Sequence, residues 1–130
     1  MEWKNQYVNS FAKKPIEEDY FLLLVTRFIN GINNRFKSEK MEEKIVLNKD
    51  SNKIIFPDCE ISYEIDDEKI VLTKQKNVAS ENNDIIFIKW GKGVFNVTGN
   101  CVTKTNKGIY LMDETMIEDV FEMLLIDRIR

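Results

Sequence analysis

The chain has 130 residues, 19 basic and 22 acidic side chains, a net charge of −3 and no histidine. That length suits one domain and lets roughly two-thirds of the unfolded surface be buried, so a packed core needs no disulfide or metal staple. Without histidine, Ser/His/Asp and Cys/His nucleophilic sites and His-ligated zinc are excluded, and two cysteines cannot supply a four-thiolate site.

Five glycines and two prolines are too few for a long linker, so residues 1–130 read as a single α+β domain. The first residues, MEWKNQ, are polar and lack an apolar signal core, and the apolar run 21–25 is far too short to span a bilayer. A cytoplasmic protein with no membrane partner is expected. Abundant Lys, Asn, Ile and Glu with little Ala or Gly is the bias of an AT-rich genome, bacterial or phage. Cys59 and Cys101 lie far apart and outside any CxxC pattern, which suits small buried hydrophobes.

In chain order, Trp3, Tyr7, Val8 and Phe11 share one face of a short helix that Pro15 ends. At this spacing the aromatics read as core, with an exposed hook for a partner as the other reading. Glu17, Glu18 and Asp19 suit the positive end of a second helix. Its stripe is Tyr20, Leu23, Leu24, Phe28, Ile32 and Phe36, widened by Phe21, Val25 and Ile29, and it ends near Lys37. So wide a stripe predicts heavy burial against a sheet.

The period then changes from 3.6 to 2. Strand-like segments fall at 44–48, 53–56, 59–65, 69–74, 85–90, 94–98, 101–105 and 109–112. Residues 59–65 alternate cleanly, with Cys59, Ile61, Tyr63 and Ile65 on one face. The links are too short for parallel crossovers, so the sheet is antiparallel, with about seven or eight short strands that can curl into a partly open barrel. Asp113 is a candidate N-cap for a last helix, with Thr115 and Glu118 as an alternative capping box two residues later, and Ile117, Val120, Phe121, Leu124 and Leu125 follow i, i+3, i+4, i+7, i+8 spacing. The expected fold class is thus an antiparallel sheet packed against N-terminal helices and a C-terminal amphipathic helix.

No motif carries chemistry. The acidic clusters 17–19 and 66–68 lack calcium-loop spacing and read as helix-terminal charge and a turn. Gly91-Lys92-Gly93 joins two strands and is a hairpin turn, not a phosphate loop. Charge is more informative. Residues 85–112 hold Lys89, Lys92, Lys104 and Lys107 and no acid (+4), whereas 113–130 hold six acids and two arginines (−4). Trp90 beside Lys89 and Lys92 forms, with Lys107, a candidate binding surface for another protein with an acidic face. In the competing reading these lysines pair with Glu114, Glu118 and Glu122. The absence of RNP-like aromatics and the acidic total argue against nucleic acid. The expectation is a non-enzymatic binding or regulatory protein of accessory, immunity or phage type, acting through protein–protein contact without a cofactor or metal. The alternative is a small-molecule binder with an apolar pocket between sheet and helix.

Overall fold

A switch of hydrophobic period near residue 44 divides the chain into a helical beginning, a sheet and a helical end. The computed structural model describes residues 3–11, 16–75, 83–91, 93–102 and 109–126. The helices are α1 (Trp3–Asn9), α2 (Glu18–Ser38) and α3 (Glu114–Leu125). Between α2 and α3 run β1 (Val46–Asn48), β2 (Lys53–Phe56), β3 (Cys59–Ile65), β4 (Lys69–Lys74), β5 (Asp84–Gly91), β6 (Val94–Gly99) and β7 (Ile109–Tyr110).

Each strand pairs antiparallel with the next, so spatial order follows sequence order. Among the described residues, six strands of three or more residues carry an open sheet, and β7 adds two residues at the β6 edge. The expected seven or eight strands were slightly too many. The segment at 101–105 begins as a turn at Cys101, and its residues 103–105 lie outside the described ones. Strands β1 and β7 form opposite edges, so the sheet does not close into a barrel.

Period-2 alternation sets two faces. Ile54, Ile61, Tyr63, Ile70, Leu72, Ile86 and Ile88 point to one side and are buried, in register with one another. That side receives both long helices. Helix α3 contributes Met116, Ile117, Val120, Phe121, Met123 and Leu124, all buried. It starts where expected, because the Asp113 carboxylate accepts a hydrogen bond from the Met116 N–H at 3.1 Å.

Helix α2 buries Phe21, Leu22, Leu24, Val25 and Ile29. Its contact face is rotated from the expected stripe: Tyr20 and Leu23 are exposed, and Phe28, Ile32 and Phe36 are only partly buried. An apolar band this wide does not fix rotation about the helix axis. The helix ends in a Schellman motif, with the Met41 N–H bonded to the Phe36 carbonyl and the Lys40 N–H to the Lys37 carbonyl. Lys40 takes the left-handed position with φ 58°.

Helix α1 departs from expectation. Trp3, Tyr7, Val8 and Phe11 are 62–69% exposed and do not join the core. Helices α2 and α3 already cover the inner face, and α1 borders the β5–β6 turn instead. There Gly93 has φ 79°, and a Cβ on it would collide with the Gln6 carbonyl oxygen. Glycine is therefore required at Gly93 both for its backbone angle and for the approach of α1.

Candidate functional site

The inner faces of α2 and α3 are committed to the sheet, but their outer shoulders leave a groove between them. Phe28 stacks on Phe121 with ring centroids 5.0 Å apart, joining the helices at the floor. Arg27 meets Glu114 beside the smaller depression, and Arg35 lines the groove together with Glu122 and Ile126, so the helices run in the same sense. The groove has a volume of about 450 Å³. Its apolar lining is Phe28, Ile32, Phe121, Leu125 and Ile126. A smaller depression of about 160 Å³ lies beside it, lined by Leu24, Arg27, Phe28, Glu114, Ile117 and Glu118.

Charge is sorted across this groove. Arg27, Gly31 and Arg35 follow one another at four-residue spacing along α2, as do Glu114, Glu118 and Glu122 along α3. Residues four apart share one helix face, so each set forms a row. The Arg27 Nη1 to Glu114 Oε1 distance is 3.5 Å, with both side chains mostly exposed. Such a pair contributes little to stability. This surface was not among the sequence expectations. The two i, i+4, i+8 rows are legible in the sequence, but nothing there shows that α2 and α3 are neighbours.

Of the lysine–tryptophan surface suggested by the sequence, the structure describes Lys89 and Trp90. Lys89 and Trp90 are consecutive in β5 and project to opposite faces. Trp90 is half-buried on the helix side, its ring 4.9 Å from that of Phe95. Lys89 is exposed on the far side, its Nζ 5.2 Å from the Phe87 ring centroid. From there it does not reach the glutamates of α3, and Glu114 pairs with Arg27 instead. Lys92 and Lys107 lie outside the described residues. Register brings in a residue the sequence did not flag, because Lys69 stands directly opposite Lys89. Register also brings in the acidic turn at 66–68, where the Glu68 carbonyl accepts from the Trp90 N–H at 2.8 Å.

One polar cluster is built into the interior. Lys74 points inward from β4, and its Nζ donates to the Leu124 carbonyl at 2.8 Å, at the C-terminal end of α3. Asp84, its register partner, is buried. Burial pushes the Asp84 carboxyl above its usual range, and Lys74 pulls it partly back. Nearby, burial and then the charge of Asp58 push the Cys59 thiol up to about 11. Cys59 and Cys101 are half-buried, less enclosed than expected, and neither forms a disulfide. On the other flank of α3 the Tyr110 hydroxyl donates to Asp119 Oδ2 at 2.8 Å.

Among the described residues, no group of three or more acidic or cysteine side chains is placed to hold a metal ion. No described helix is long and apolar enough to cross a membrane. Compared with family models, curated proteins and solved structures, the chain matches none significantly.

Proposed function

We propose that the protein is a small non-enzymatic binding or regulatory module that acts through protein–protein contact, with the α2–α3 groove as its contact surface. The observation that carries this reading is the groove itself: an apolar floor left open between two helices, with arginines on one wall and glutamates on the other. A partly desolvated apolar centre with a charged rim is the anatomy of a protein contact. A photo-crosslinking residue at Ile32 in the groove is expected to trap a protein in the native cell, whereas one at Glu64 on the far sheet face is not. Adducts from Glu64 alone, or from neither position, would overturn the assignment.

A second surface is favoured by one specific observation. Register sets Lys69 beside Lys89, and like charges directly opposite across strands oppose each other. A partner with an acidic face would relieve that repulsion at the outer face of β4 and β5. Replacing both lysines with glutamate should then abolish partner capture without lowering the melting temperature. Capture that survives the double change would remove this surface from consideration.

A further inference from the structure

We propose that the groove is self-complementary and that its partner is a second copy of this chain, joined helix layer to helix layer about a two-fold axis running along α2 and α3. The proposal rests on the contact reading above and names the occupant. A two-fold axis along the helices lays α2 of one copy on α3 of the other in the same direction. Such an axis preserves height along the helices, so Arg27 and Arg35 then face the partner's Glu114 and Glu122, and the reciprocal pairing forms by symmetry. An axis across the helices would instead set arginine row on arginine row. A partner of a single charge sign would leave one wall facing like charge. A second copy matches both walls at once and closes Ile32, Leu125 and the half-exposed Ile126 between them.

Gly31 is an independent observation. It sits in the interior of α2, one turn from Arg27 and one from Arg35, and lines the groove. Glycine is the weakest helix former after proline. Nothing within the monomer requires it, because a Cβ at Gly31 would meet no atom within 4 Å. A bare backbone at the middle of the groove is what a second helix needs for close approach.

Sedimentation equilibrium of the full chain, from micromolar to near-millimolar concentration at low salt, tests this. A monomer–dimer equilibrium is expected. Gly31→Leu should abolish it while leaving the melting temperature of the monomer no lower. A chain with Arg27→Glu and Arg35→Glu should be monomeric, as should one with Glu114→Lys and Glu122→Lys. Mixed in equal amounts, these two should pair, because every facing row is then opposite in sign. A wild-type chain that stays monomeric throughout overturns the proposal, as does a dimer that Gly31→Leu leaves intact. A monomeric chain whose Ile32 crosslinks to a different protein would overturn the dimer and leave the contact reading standing. The absence of any adduct at Ile32 would remove both.

Discussion

Asn33 holds Ile45 by both polar atoms of its backbone: the side-chain oxygen of Asn33 accepts from the Ile45 N–H at 2.7 Å, and its amide donates to the Ile45 carbonyl at 2.9 Å. This pair pins the approach to β1 against α2 at a point where Ile45 itself is buried. Asn33→Leu keeps the branched shape and heavy-atom count of the side chain and removes both bonds. The expected loss is about 1–3 kcal/mol, since two backbone groups in a partly buried place lose their partners. Urea unfolding measures it, and an unchanged midpoint would show that the pair does not fix the connection.

Lys40 adopts the left-handed conformation that closes α2, where a side chain costs about 1–2 kcal/mol relative to glycine. Lys40→Gly removes that cost but adds unfolded-state entropy, so a net gain of about 0.5–1 kcal/mol is expected. The melting temperature should rise by a few degrees. Asn52, at φ 54°, is an internal control. Asparagine tolerates this region, so Asn52→Gly should gain less.

Lys74 closes the C-terminal end of α3 and offsets the buried charge of Asp84. Lys74→Met deletes a charge-assisted hydrogen bond, and a loss of about 2–4 kcal/mol at neutral pH is expected. Adding Asp84→Asn should restore part of it, because the second change removes a buried charge that Lys74 no longer offsets. Purely additive losses in this double-mutant cycle would show that the two groups are not coupled.

Alkaline pH should weaken the fold. The Tyr110 hydroxyl is held above its ordinary range by burial and by its bond to Asp119, and Tyr63 by burial and then Glu18. Cys59 moves from 9.0 to about 11. All three are raised on folding, so their stabilising contribution is complete below the unfolded values and is lost as pH rises through the folded ones. Stability should start to fall near pH 9, first through Cys59, and fall further above about pH 10 through the tyrosines. Chemical unfolding midpoints across this range, for the wild type and Tyr110→Phe, measure the slope. Cys59 should also react slowly with thiol reagents near neutral pH, and Asp58→Asn should speed it by removing a charge that opposes the thiolate. Rapid labelling of wild-type Cys59 would contradict the shift.

The sheet was legible because alternation, short links and glycine turns act locally: Cys59, Ile61, Tyr63 and Ile65 declare their face without reference to any other segment. Helix α3 was legible for the same reason, down to its Asp113 cap. The rotation of α2 was not, since Tyr20 and Leu23 are as apolar as the residues that α2 buries. The aromatic stripe of α1 misled because helical spacing shows that Trp3, Tyr7 and Phe11 share a face, but not that another element covers it. The site was the least legible part. Lys89 and Trp90 are adjacent in sequence and separated by the pleat, while Lys69 and Lys89 are twenty residues apart and adjacent in space.

The in-order pairing of β1 through β7 has a kinetic consequence. Each ladder joins strands separated by nine residues or fewer, so the sheet can zip from any hairpin outward at small entropic cost. The docking of α2 with α3 is different, because it joins segments separated by the whole sheet. That closure is favourable only once the strands between them have shortened the path. The helix layer should therefore form late, with side-chain substitutions at Phe28 and Phe121 accelerating unfolding far more than they slow folding.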